Sequence, residues 1–175
     1  MASLHQRVVA QERLPASSYK DMADQQVALA GRGCIDAFKV RARIPSSGRT
    51  ETVLAASEGL TVRLKVYASG VENVLHTHAE EDHVFVILQG QAEFSDGDGA
   101  LGTFGRNQGV LVPRGSYYRF HVVSGEPLVM LRVGSPNESA QGKDGRIDTR
   151  GDSFDPGTDA KNQAGPVFGG ETYYG

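Results

Sequence analysis

From Cys34 to Pro136, short runs of β-branched and aromatic residues alternate with Gly, Pro, Asp and Ser punctuation. The punctuation recurs at about the 8–12-residue spacing of an all-β sandwich or barrel. Strands are predicted near residues 36–44, 52–56, 61–68, 72–78, 83–89, 91–95, 100–104, 109–113, 117–123 and 127–133. Val62, Leu64 and Val66 alternate with Arg63, Lys65 and Tyr67, as expected of a strand with one buried face. The simpler placement puts the cationic set on the outside. Turned inward, it would hold a carboxylate or enolate through charge-assisted bonds. Ser95-Asp96-Gly97-Asp98-Gly99 reads as a turn between two strands. Val84, Val86, Leu88, Val110, Val112, Leu128 and Met130 are the expected core. No long amphipathic period interrupts this stretch, which argues against a parallel sheet built from βαβ units.

The flanks differ in texture. Residues 1–33 are polar, with a weak helical period around Tyr19 to Leu29 that Gly31 and Gly33 would end. Met22, Val27 and Leu29 are too few to form a core of their own, so this segment reads as a partly helical N-terminal arm. Residues 137–175 turn to Gly, Asp, Asn, Ser and Lys. They read as an irregular C-terminal extension, disordered alone or laid over a neighbouring surface, with Val167-Phe168 and Tyr173-Tyr174 as anchors. The expected organisation is an arm (1–33), a β-rich body (34–136) and a tail (137–175). Such extensions commonly cover a partner's sheet edge, so a homodimer is expected.

Composition narrows the function classes. The 175 residues suffice for one packed domain. A formal charge of -3 supplies no basic field for nucleic acid or for an anionic membrane surface. No apolar run approaches the ~20 residues needed to span a bilayer, and Met1 to Lys20 lacks the apolar stretch of a signal peptide. Cys34 is the only cysteine, so no internal disulfide is expected and a cytoplasmic location is the default. The Gly-rich pieces of the tail lack the strand-to-helix context of a phosphate loop, which sets nucleotide binding aside.

The candidate chemistry lies in His76, His78 and His83, three of the chain's five histidines. Imidazole is the commonest protein ligand of transition metals. His76 and His78 are two apart and would share one face of a strand, while Glu80-Glu81-Asp82 bends the chain back to His83. Among the acids, Glu80 reads as a solvated turn, Asp82 as a group that orients an imidazole, and Glu81 as a ligand only if the register differs by two.

At this point the residues resemble the cupin family. Gly70, five residues, His76-x-His78, four residues, His83, six residues and Gly90 match the spacing of the first cupin motif. There the usual residues are Gly, His, His, Glu and Gly. The second motif usually runs Gly, Pro-x-Gly, His and Asn. Here Asn107 stands at its Gly, Pro113-Arg-Gly115 follows, Tyr118 replaces the His and Val122 the Asn. The resemblance covers about residues 60 to 135 and implies an all-β cupin double-stranded β-helix, a jelly-roll barrel.

It also implies a metal site of His76, His78 and His83, with Tyr118 or His121 contending for the fourth place. A phenol with an unperturbed pKa of about 10 is a poor ligand except to a hard ion such as Fe(III). Tyr118 is therefore read as a pocket group that donates a hydrogen bond or exchanges a proton. Strand parity sends His121 to the opposite face, unless a β-bulge reverses it. Tyr117 and Phe120 read as structural.

The implied cofactor is a divalent transition metal, Fe(II) first, with Zn(II), Ni(II) or Cu(II) as alternatives. The implied activity is that of a quercetinase-like or diketone-cleaving dioxygenase acting on a small enolisable or phenolic substrate. A non-redox metal-dependent isomerase, cyclase or lyase and a non-catalytic small-molecule-binding cupin are the alternatives.

Overall fold

Ser18 starts the one helix among the described residues. Its hydroxyl accepts the Asp21 amide at 3.0 Å, satisfying one of the amides that a helix start leaves unpaired. Helix α1 (Tyr19–Ala30) ends at Gly31, as the sequence predicts, and buries Met22, Gln26 and Leu29 at i, i+4 and i+7. The computed structural model describes residues 8–68, 73–136, 145–153 and 165–175. No helix in them is long and apolar enough to cross a membrane.

The rest is antiparallel β-structure. The strands are β1 (Ala42–Arg43), β2 (Arg49–Ser57), β3 (Leu60–Tyr67), β4 (Thr77–His78), β5 (Asp82–Gln89) and β6 (Gln91–Ser95). They continue with β7 (Ala100–Gly105), β8 (Gly109–Val112), β9 (Arg119–Val122), β10 (Leu128–Ser135), β11 (Arg146–Ile147) and β12 (Tyr173–Tyr174). A five-stranded sheet in the order β2-β3-β10-β5-β8 packs against a three-stranded sheet β7-β6-β9. Two short pairs, β11-β4 and β1-β12, add to the rims.

Two predicted strands shrink. The run 36–44 keeps only β1, because much of it straps the outside of the large sheet, where Phe38 bridges to Gln11. The run 72–78 keeps only β4, and its first residue lies outside the described ones. Gly90 joins β5 to β6 at φ 75°, and a Cβ there would meet the Pro127 carbonyl at 2.8 Å. Asn107, at the motif's glycine position, also adopts a positive φ of 65°. Asparagine tolerates that conformation better than most residues do.

Both faces of β3 are buried, which corrects the reading of a single buried face. Leu64 and Val66 pack outward with Leu54 and Val129, beneath Phe38, Val40, Ala42, Ile44 and Tyr174. The C-terminal anchors thus dock on the chain's own body: Tyr174 pairs with Ala42, and Arg43 stacks on Phe168 at 4.5 Å. With that face covered, strand parity turns Arg63, Lys65 and Tyr67 into the space between the sheets. The cationic set is therefore interior. The expectation for Val84 is corrected for the same reason of parity: His83, Phe85 and Ile87 are buried, while Val84 is exposed.

The interior divides in two. One half is apolar, with Phe85, Ile87, Phe94, Phe120, Leu128 and Met130 in contact. The other holds buried Arg63, Lys65, His76, His78, Glu81, His83 and Arg132. Leu64→Ala should leave a cavity under the strap and lower stability by about 2–5 kcal/mol. A fall in the urea midpoint at unchanged m-value would show it.

Candidate metal centre

Short strand β4 and the bridge just before it place the first two imidazoles. His76 exchanges backbone hydrogen bonds with Tyr118, at 3.2 Å and 2.9 Å, and His78 pairs with Arg146 of β11. The two rings lie on one face, 5.1 Å between centroids, as their spacing predicts. The acidic turn then returns the chain so that His83, at the start of β5, comes within 4.2 Å of His78, centroid to centroid. All three imidazoles are buried.

Glu81 joins them. Its Oε2 lies 3.0 Å from His83 Nε2, 3.7 Å from His78 Nδ1 and 2.7 Å from Arg132 Nη2. His78, Glu81 and His83 form a set whose potential ligand atoms all lie within 4.8 Å of one another. A carboxylate fits so close to β10 because residue 134 is glycine: a Cβ there would stand 1.7 Å from Glu81 Oε1. Nothing near Glu81 in the chain reveals this seat. The pairing of Gly134 with His83 is tertiary.

Tyr118 lies where the resemblance puts it, its ring 4.7 Å from that of His76 and its hydroxyl 3.3 Å from His83 Nδ1. His121 does not join the cluster. β9 pairs with β6 in unbroken register, Glu93 opposite His121. With no bulge to re-aim it, the side chain is 41% exposed and faces Glu93 at 3.8 Å. Asp82, expected to orient an imidazole, instead bonds Arg114 at 2.7 Å on the surface, because parity points it away from His83. Tyr117 is structural, its hydroxyl donating to the Asp148 carbonyl at 3.0 Å.

Arg132 was missed. Leu128, Met130 and Arg132 alternate on one face of β10, so a cation on a core-facing register was the available signal. Its guanidinium contacts both Glu81 and His83 Nε2. A second buried group lies alongside: Glu51 accepts from Arg63 and from Lys65, each at 3.1 Å.

Electrostatics follow from burial and from these cations. Burial, then Arg146, lowers His76 to about 3; burial, then Arg132, lowers His83 to about 3. Burial, with His83 next, pushes His78 down as well. For Glu81 burial works upward and is the largest single influence, but Arg132, His83 and Arg63 together outweigh it and hold the carboxylate ionised. Burial keeps the Tyr118 phenol protonated by raising its pKa. Neutral imidazoles beside an ionised carboxylate are the protonation states that metal ligation requires. The donor set therefore suits a divalent metal, with His78, Glu81 and His83 as the residues that would hold it.

The comparisons agree with the fold. Residues 63–134 match the family model described as Cupin domain. Over that segment the chain is similar to cupin domains, and its fold is the all-β double-stranded β-helix. Among solved structures it is similar to an uncharacterised conserved protein with a double-stranded β-helix domain from Klebsiella pneumoniae. That match is 18% identical and covers 61% of this chain and 94% of that one, with a TM-score of 0.54. It is also similar to KdgF from Halomonas sp. (14% identical, 51% and 80% covered, TM-score 0.48). A sugar phosphate isomerase of the cupin superfamily from Silicibacter pomeroyi matches at 23% identity (56% and 71% covered, TM-score 0.47). No curated protein matches the chain.

Two outcomes follow. Gly134→Ala should displace the Glu81 carboxylate from Arg132 and lower stability by about 3–5 kcal/mol, the usual effect of breaking a buried ion pair. Urea denaturation at neutral pH measures it, and a loss below 1 kcal/mol would contradict the packing. In metal-free protein the buried histidines stay neutral to about pH 3, whereas unfolded ones take up protons below about pH 6.5. Acidification through that window therefore favours unfolding, by about 1.4 kcal/mol per pH unit for each such histidine. Glu81 and Glu51, held low, stabilise the fold above the ordinary carboxylate range and lose that contribution only as pH falls through their depressed pKa values. Denaturation midpoints at pH 7, 6, 5 and 4 should fall steadily, and a flat profile from pH 7 to 5 would refute the burial of neutral histidines.

Proposed function

We propose that this protein is an Fe(II)-dependent dioxygenase acting on a small enolisable or phenolic molecule. The observation behind this reading is the pairing of two imidazoles with one carboxylate, His78 and His83 with Glu81. Two histidines and one carboxylate are the donor set of non-haem Fe(II) oxygenases. Bound there, iron would supply the one-electron chemistry that ground-state dioxygen requires.

The chain's own residues have defined tasks in this reading. Burial keeps the imidazoles unprotonated, the state in which they ligate. Arg132 holds Glu81 ionised and in place. Tyr118, a neutral phenol against His76 and His83, donates a hydrogen bond to a substrate oxygen. Phe85 and Phe120, packed with Tyr67 and Tyr118, exclude water from the far wall.

A second reading has its own support. Lys65 lines the pocket next to this set, and burial lowers its amine to about 7, so it exchanges protons at neutral pH. That suits a metal-dependent isomerase, cyclase or lyase with no redox step.

Elemental analysis of protein purified without a histidine tag, followed by oxygen uptake in a screen of enolisable and phenolic compounds, separates the two. Stoichiometric iron, with uptake that depends on Fe(II) and falls at least a hundredfold in His78→Ala and Glu81→Gln, is the expected result. Stoichiometric zinc with turnover in the absence of oxygen would replace the first reading with the second.

A further inference from the structure

The donor atoms are closed off from solvent. His76, His78 and Glu81 are each no more than 5% exposed, and His83 is fully buried. The free space beside them, which Lys65, His76, Tyr118, Arg132 and Arg146 help to line, is about 20 Å³. That is little more than the ~10–15 Å³ that one water needs. A hydrated ion, or a substrate of several heavy atoms, therefore reaches the donor set only when part of the enclosing wall moves.

The walls differ in how firmly they are held. Strand β10 is joined to β3 and to β5 over seven residue pairs each, with apolar residues packed on both of its faces. Strand β11 is joined to β4 over two pairs, His78 with Arg146 and Thr77 with Ile147. Directly paired side chains share a face, so Arg146 stands over the site beside His78. There it also lines the free space.

Around Arg146, residues 145–153 are held by polar contacts. The Ala79 amide donates to the Gly145 carbonyl at 3.0 Å, and the Tyr117 hydroxyl to the Asp148 carbonyl at 3.0 Å. No residue of this segment belongs to an apolar cluster among the described residues. Its far end is a turn closed on itself, where Asp148 accepts the Arg150 and Asp152 amides at 2.8 Å and 3.0 Å. A short ladder with few buried apolar contacts marks the part of a fold that opens most readily. One contact ties the segment to a distant element. The Arg146 guanidinium lies 4.9 Å from the centroid of the Tyr19 ring, at the start of α1, within cation–π range. Tyr19 in turn packs with Met22, Leu29 and Val53. Tyr19 and Arg146 both lie outside residues 63–134, the segment similar to cupin domains.

We propose that residues 145–153 are a clasp over the metal centre, fastened by Tyr19 against Arg146, which opens to admit the ion and the substrate. The proposal rests on the metal reading above for what enters. Tyr19 is then a positioning residue, acting on the site through Arg146.

The test is amide hydrogen exchange and metal capture on the full chain. In metal-free protein the Ala79 amide should exchange at least a hundredfold faster than the paired amides of β10 and be indifferent to low urea, as a local opening requires. Tyr19→Leu should speed that exchange at least threefold and leave β10 unchanged. Tyr19→Phe, which keeps a ring against Arg146, should match the parent protein. For capture, Thr77→Cys and Ile147→Cys, directly paired across the ladder, are joined by a disulfide in a Cys34→Ser background. Uptake of Co(II), followed by its visible absorption, should slow at least tenfold in the oxidised form and recover on reduction, so that each protein is its own folding control. Ala79 exchange that matches β10, or an equal response to Tyr19→Leu and Tyr19→Phe, would overturn the clasp. Equal Co(II) capture by the oxidised and reduced forms would also overturn it and leave the metal centre standing. Failure of both forms and of the parent protein to take up Co(II) would remove the metal reading, and the Ala79 exchange would then decide the clasp.

Discussion

The buried contact of Arg132 with Glu81 and His83 organises this molecule. A guanidinium and a carboxylate removed from water are each expensive, and their attraction offsets that only when geometry is close and remaining lone pairs are used. Here the geometry is close because Gly134 leaves the Glu81 carboxylate room against β10, and Thr61 approaches both partners. Glu81 thereby stays ionised in a setting that would otherwise protonate it. Its charge, fixed at 3.0 Å from His83, converts a row of imidazoles into a mixed nitrogen and oxygen donor set. Removing either partner would leave an unpaired charge between the sheets.

The same contact explains why the interior has two halves. Met130 and Leu128 continue the face that Arg132 begins, and Phe85 and Ile87 continue the face that His83 begins. Polar groups therefore collect at one end of the sheets and aromatic groups at the other. The aromatic end supplies the apolar burial that carries the fold. The polar end gathers Arg63 and Lys65 around Glu51 and Arg132 around Glu81. Function is read from that end more than from the fold, which many chemistries share.

Much of the fold was legible in sequence. Turn spacing gave the all-β class, and most strands appear within a few residues of their predicted places. His76, His78, His83 and Tyr118 were identified because period-two spacing and two spaced motifs operate over short distances along the chain. Three assignments needed more. Arg63, Lys65 and Tyr67 were placed outside because an apolar alternate face ordinarily marks the inside. Here that face is covered by the strap and by Tyr174, which lies more than a hundred residues away. Glu81 was underrated because its seat depends on a glycine in a distant strand. His121 was kept as a contender because sequence cannot say whether a bulge is present; the unbroken pairing of β9 with β6 decides it.

By itself, then, the sequence determined what local periodicity and spacing encode: an all-β fold, a short helix ended at Gly31, and a group of imidazoles on one short segment. Which face of a strand is inside depends on what else the chain lays over it, and which acid joins the imidazoles depends on the space left by a partner strand. Those are properties of pairs of segments far apart in the chain. Only tertiary packing sets them, and it turned a row of histidines into a histidine–carboxylate centre beside a cationic pocket.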